Sequence, residues 1–207
     1  MKFLVTTCTA VAAAALLAAG AAHASATVGQ PAPAFTAVDT SGRSVSLADF
    51  KGRHVVLEWV NPGCPYVRKH YDGKNMQATQ ALAASKGMAW LTINSTAPEF
   101  SDHMAPQALA AWMNKHGAKV SATLMDESGT VGRAYGARVT PHMYVIDPQG
   151  TLVYAGAIDD RPTARVADIQ GATNHVKVAL EELAAGKPVG TPTTRAYGCT
   201  IKYGNAG

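Results

Sequence analysis

Cysteine is scarce in this chain: there are three in 207 residues, Cys8, Cys64 and Cys199. The spacing of a zinc site is missing, and so are a glycine-rich phosphate loop and a serine triad. There is no dense basic cluster, and a formal net charge of +4, one less without Lys2, is too mild to point to nucleic acid. Beyond the N-terminal segment no run is long and apolar enough to span a membrane, and no segment repeats. These gaps narrow the chemistry to what the few cysteines can do.

The N-terminus reads as a secretory leader over residues 1–26. Met1-Lys2 gives a short positive start, residues 4–22 are dominated by alanine and leucine, and Ala22-His23-Ala24 and Ala24-Ser25-Ala26 offer small residues for cleavage. An uncleaved anchor is the alternative. With cleavage near Ser25 or Thr27, Cys8 leaves with the leader, and the mature protein is expected to be secreted, in the periplasm, without stable membrane insertion. It keeps Cys64 and Cys199, which in an oxidising compartment form either a static disulfide or a working redox couple. The remainder, roughly 180 residues, suits one domain, expected over 27–186, followed by a tail at 187–207 that carries Cys199.

Residues 35–38 and 43–47 flank Asp39-Thr40-Ser41-Gly42 and predict a hairpin, followed by a short helical turn near 46–52. Val55, Val56, Leu57, Trp59 and Val60 make an apolar strand that stops at Asn61-Pro62-Gly63. That turn delivers Cys64 to the start of a helix whose first turn accommodates Pro65. Further helices are predicted over 76–86, 106–116, 127–135 and 174–185, and strands over 88–94, 120–125, 139–147 and 151–158. The order implies a central mixed β-sheet with helices on both faces. The tail, rich in Thr, Pro and Gly, reads as a flexible extension able to fold back over the thiol.

A thiol at a strand end and a helix N-terminus sits among unpaired backbone N–H groups that favour the thiolate. The plainer reading is a buried free cysteine or half of a static bridge. Gly63-Cys64-Pro65-Tyr66-Val67 after an apolar strand, with Val139-Thr140-Pro141 before a later one, resembles the thioredoxin fold. The lead-in Val28-Gly29-Gln30-Pro31-Ala32-Pro33-Ala34-Phe35 and the turn Asp147-Pro148-Gln149-Gly150 are similar to the peroxiredoxin superfamily of the alkyl hydroperoxide reductase/thiol-specific antioxidant type. The resemblance implies an α/β, thioredoxin-like fold with an N-terminal hairpin extension. It also implies a thiol-disulfide oxidoreductase or peroxiredoxin-like peroxidase that needs no cofactor and no metal. Two departures limit it. Val67 stands where thioredoxins carry a second cysteine, and Leu57 and Asn61 stand where peroxiredoxins place the proline and hydroxyl that help hold a peroxide.

On this reading Cys64 attacks a peroxide or a protein or small-molecule disulfide, Cys199 resolves the product, and a thiol reductant restores both. The alternative is a non-catalytic binding module with a structural Cys64–Cys199 clip. Glu58, on the same strand face as Val56 and Val60, is the candidate proton relay; otherwise it is a carboxylate on a solvated face or paired with Arg68 or Lys69. The resemblance makes Thr140-Pro141 a cis turn opposite the thiol, open to an extended substrate. Asn61 and Arg138 are further candidates for the substrate side. Arg68, Lys69 and His70 could favour the thiolate by their positive charge, but the expectation is a solvated helix face. Copper handling through Cys64, His70, Met76, His103, Met104 and His116 is a last alternative, weakened because Arg68 stands where copper-delivery relatives have their second cysteine.

Overall fold

The structure is a computed structural model that describes residues 25–205. Cys8 and nearly all of the expected leader lie outside the described residues, and among these no helix is long and apolar enough to cross a membrane.

The hairpin forms from β1 (Thr36–Asp39) and β2 (Ser44–Ser46). Asp39 closes its turn by accepting the Ser41 and Arg43 backbone N–H groups. A single 3-10 turn, Leu47–Phe50, follows, capped reciprocally by Ser46 and Asp49. Next come β3 (Val55–Trp59), α1 (Pro65–Asp72), α2 (Asn75–Ser85), β4 (Ala89–Asn94), α3 (Pro106–Lys115), β5 (Ala122–Met125) and α4 (Thr130–Tyr135). The remaining elements are β6 (Val139–Thr140), β7 (His142–Ile146), β8 (Leu152–Gly156), a second 3-10 turn (Val166–Ile169), α5 (His175–Ala184) and β9 (Cys199–Thr200).

Seven strands form one sheet in the order β2-β1-β5-β4-β3-β7-β8. The pairs β3–β4 and β4–β5 are parallel, whereas β3–β7, β7–β8 and β1–β5 are antiparallel. This is the mixed-sheet, thioredoxin-like fold with an N-terminal hairpin expected from the sequence. Every residue of β3 and β4 is buried, which explains their continuous apolar runs: both faces are covered. Val55, Leu57 and Trp59 face the side closed by α4 and the hairpin. Val56 and Val60 face the side that holds Cys64 and the buried residues of α1, α2, α3 and α5. Glu58 shares that second face by the period of two.

Three expected elements differ in extent. The fourth helix starts at Thr130 rather than 127, because the Asp126 side chain accepts the Val131 and Gly132 N–H groups and Gly129 turns the chain at φ 70°. The strand expected over 139–147 is divided at Pro141, whose bond to Thr140 is cis. The tail is held rather than loose. β9 pairs antiparallel with β6 in a small second sheet, and Ile201 is buried in the main core. Backbone bonds tie it on both sides of Cys199: Ala155 N to Pro192 O at 3.0 Å, Ile201 N to Arg138 O at 2.9 Å and Ala97 N to Lys202 O at 2.9 Å. Composition alone hid this, because loop-like residues were docked by backbone pairing rather than by an apolar pattern.

Leu91, fully buried at the centre of β4, tests the double-sided core. Leu91→Ala is expected to lower stability by about 2–5 kcal/mol, read as an earlier urea midpoint with an unchanged slope.

Candidate functional site

The site begins where β3 ends. Asn61 uses its side chain to build the turn: Oδ1 accepts the Gly63 N–H at 2.7 Å, while Nδ2 donates to Thr96 Oγ1 at 2.9 Å and to Asp102 Oδ2 at 3.1 Å. Its carbonyl accepts the Cys64 N–H at 2.9 Å. Cys64 is thereby fixed as the N-cap of α1, with Pro65 in the first turn, and it is only 2% exposed. Arg68 braces the same turn by donating from Nε to Pro62 O at 2.8 Å, its side chain otherwise turned to solvent.

Cys64 is bonded to Cys199 in a disulfide with a Cα–Cα separation of 5.8 Å. Cys199 lies directly opposite Thr140 in the β6–β9 pair, and Val139 lies opposite Thr200. The Thr140 carbonyl oxygen is 3.1 Å from Cys64 Sγ. In the disulfide that sulfur has no hydrogen to give, so the approach is a contact; a reduced thiol in the same place would donate to the carbonyl. Cys64, Cys199, Thr140 and Pro141 therefore come together, with Asn61 immediately beneath. Between Tyr197 and Cys199 the tail passes so close to the cis turn that a Cβ on Gly198, which sits at φ 145°, would run into the Thr140 carbonyl.

Two other candidates stand apart. The Arg138 side chain is exposed, and its backbone carries the contacts, its carbonyl receiving Ile201 N. Glu58 is neither on a solvated face nor paired with Arg68 or Lys69. It is fully buried and accepts from three donors: Tyr71 OH at 2.9 Å, Trp90 Nε1 at 2.8 Å and Gln80 Nε2 at 3.3 Å. Burial pushes its carboxyl up to about 7, against the opposing pull of those hydrogen bonds. Two of its donors, Gln80 and Trp90, line a cleft of about 370 Å³ together with Arg53, Met88 and Ser121. Those last three residues lie at the beginning of the parallel strands, the opposite end of the sheet from Cys64.

Lys69 and His70 correct the expectation of a solvated helix face. Lys69 is 1% exposed and His70 is fully buried. Lys69 Nζ donates to Asp159 Oδ2 at 3.2 Å, to Arg161 O at 2.7 Å and to Tyr197 OH at 3.3 Å. His70 Nδ1 receives Asn75 Nδ2 at 2.8 Å, which leaves Nε2–H to donate to Tyr197 OH at 3.1 Å; the phenol in turn donates to Asp159. Burial, reinforced by Lys69 and opposed by Asp159, lowers His70 to about 4, so the ring is neutral at pH 7. Val67, His70 and Tyr71 recur at helical spacing, and that stripe was the available sign that His70 faces inward. The partners Asp159 and Tyr197 lay too far along the chain to be read. His142, just after the cis turn, was also missed: it is lowered to about 4, chiefly by burial and further by Arg138.

The soft ligands weighed for copper are otherwise engaged. Cys64 is in the disulfide, His103 meets Glu127 Oε1 at 2.7 Å, and His116 Nδ1 meets Trp112 O at 2.8 Å. Among the described residues no three His, Cys, Asp or Glu side chains group as metal ligands.

A family model described as AhpC/TSA matches residues 28–155. A Mycobacterium tuberculosis protein named as a candidate peroxiredoxin is 28% identical over 162 residues, 76% of this chain and 94% of its own. The thiol-disulfide oxidoreductase ResA of Bacillus subtilis is 25% identical over 132 residues, 60% of this chain and 64% of its own. Among solved structures, a hypothetical protein of Sinorhizobium meliloti matches with a TM-score of 0.73 at 28% identity, covering 88% of this chain and 98% of that one. The family match includes Glu58, Asn61, Cys64, Arg138, Thr140 and Pro141, whereas Asp159, Tyr197 and Cys199 follow it.

Glu58 gives a pH prediction. The folded chain keeps its proton up to about pH 7, whereas the unfolded chain releases it near 4.5. The folded state therefore binds more protons in that window, and the stability linked to this group falls as pH rises through it and stays lost above. Buried neutral His70 and His142 act in the opposite sense, losing stability as pH falls below 6.5, but they do so equally in a variant. Between pH 4.5 and 7, Glu58→Gln is expected to gain on wild type by on the order of 3 kcal/mol. Urea midpoints at paired pH values check this; a constant difference would rule out the buried, proton-holding carboxyl.

Proposed function

The chain belongs to the AhpC/TSA family, and from that membership and the geometry at Cys64 we propose that it is an exported, thiol-dependent oxidoreductase. The observation that carries the reading is the Cys64–Cys199 disulfide, set between a helix N-terminus and a strand paired beside the cis turn. The Cys64 thiolate attacks a substrate disulfide, forming a mixed disulfide and releasing one substrate thiolate. The Cys199 thiolate then attacks the Cys64 sulfur, expels the second substrate thiolate and closes the Cys64–Cys199 bond. The substrate gains two electrons, and an external thiol reductant returns the protein to the dithiol. Thr140 and Pro141 form the substrate-side turn, and Arg138 is the exposed cation next to it. Glu58 is the proton store on the Cys64 face of the sheet, poised near neutral pH.

Peroxide reduction is the second form of the same chemistry: the thiolate cleaves the O–O bond, becomes a sulfenic acid, and Cys199 condenses with it to release water. The structure of the turn favours disulfide exchange. Leu57 and Asn61 supply neither the proline nor the hydroxyl expected of a peroxide pocket, and the polar atoms of the Asn61 side chain are already bonded to Gly63, Thr96 and Asp102. The reading as a static clip makes a different forecast, a very negative reduction potential.

The two substrates separate in Cys199→Ser, which lacks the resolving thiol. Intact mass is expected to show a stable mixed disulfide on Cys64 after exposure to a small disulfide, forming faster than a sulfenate forms under hydrogen peroxide. Cys64→Ser should give neither product. If Cys64 reacts with both reagents no faster than free cysteine, the enzymatic reading fails.

A further inference from the structure

The tail already behaves as an extended substrate would. It adds antiparallel to β6, places a cysteine opposite Thr140 and bonds that sulfur to Cys64. Two residues earlier, before the strand begins, Tyr197 turns toward α1. Its phenol enters a buried pocket on α1, with its ring edge-on to Tyr66 at 5.8 Å and the ammonium of Lys69 5.5 Å from its centroid.

We propose that this pocket is a specificity subsite and that the site accepts an extended, cysteine-bearing polypeptide with tyrosine two residues before the reacting cysteine, the tail being its resident occupant. The inference rests on the disulfide-exchange reading given under Proposed function. Lys69 and His70 each aim a donor at one hydroxyl, and Asp159 offers it an acceptor. A phenol satisfies all three because it both donates and accepts. Phenylalanine would leave the buried His70 Nε2–H unpaired and take one partner each from Lys69 and Asp159, which keep each other and Arg161; a carboxylate would face Asp159, and an ammonium would face Lys69. The residue between tyrosine and cysteine is restricted too, since the Thr140 carbonyl leaves no room for a Cβ at Gly198. Upstream, a cavity of about 610 Å³ between the tail and Asp159, Asp160 and His175 gives space for the preceding chain. A buried ion pair is a costly way to hold down a tail that apolar packing would hold as well, whereas it discriminates sharply between side chains that carry the hydroxyl and those that lack it.

The experiment vacates the groove in two ways, with the doubly substituted full chains Gly198→Ala/Cys199→Ser and Tyr197→Ala/Cys199→Ser. The first lifts the tail off Thr140 without altering the pocket; the second empties the pocket directly, so either serves if the other fails to fold. The probes are acetylated, amidated pentapeptides of sequence Ala-Tyr-Gly-Cys-Thr and its Phe and Ala counterparts, each carrying thionitrobenzoate on the cysteine as a disulfide. Cys64 attacks the peptide sulfur, the new Cys64–peptide bond forms, and the electron pair leaves with the coloured thionitrobenzoate thiolate. The tyrosine peptide is expected to transfer about tenfold or more faster than the other two in the vacated variants, and at nearly the same rate as the others in Cys199→Ser alone, where Tyr197 still fills the pocket. Rates within about twofold for all three peptides in both variants, with the symmetrical small aromatic disulfide still labelling Cys64, would overturn the subsite and leave the oxidoreductase reading intact. A Cys64 inert to that small disulfide would remove both.

Discussion

The pairing of two short strands, Val139–Thr140 and Cys199–Thr200, is the constraint on which the site depends. It carries a cysteine 135 residues along the chain back to the N-terminus of α1 and sets the backbone direction of everything that crosses it. The division of one long strand at Pro141 makes the pairing possible: β7 joins the main sheet beside β3, while β6 is left with an edge that the tail covers. The turn from Asn61 to Cys64 supplies the other half. Asn61 fixes that turn with its side chain, so the residue contributes rigidity at the position where peroxiredoxins carry a hydroxyl.

Two buried polar clusters flank this junction with opposite designs. Around Glu58 three donors converge on one carboxyl that burial keeps protonated up to about pH 7, a group able to exchange a proton near neutrality. Around Asp159 the carboxylate meets an ammonium, and the nearby imidazole stays neutral. The first cluster opens toward the start of the parallel strands and the second toward the tail. The two clusters thus lie at different ends of one sheet face.

Where local pattern sufficed, the chain could be read in advance. The runs from Val55 and Ala89 and the stop at Asn61-Pro62-Gly63 each follow from a few neighbouring residues, and the structure has them in those places, whereas the cis turn at Thr140-Pro141 came from the family resemblance and the strand expected through it is divided there. Cys64 at a helix start was equally local. What stayed hidden depends on distance along the chain. Lys69 looks like a surface residue until Asp159, 90 positions later, is placed against it, and Tyr197 has no meaning until β9 is docked. Burial of Glu58 was one of two readings its apolar strand left open, and its donors sit on α1, α2 and β4, so that only the packed fold brings Tyr71, Gln80 and Trp90 to one carboxyl.

The double attachment of the tail has a kinetic consequence. Pro192 and Thr194 are fastened to β8, and Ile201 and Lys202 are fastened beyond Cys199, so reduction frees only a short arch between two fixed feet. A thiol on such an arch remains at an effective concentration in the millimolar range or above. In the exchange proposed above, an intermolecular thiol would have to outrun that neighbour to capture a mixed disulfide on Cys64, so resolution within the chain would be the default route.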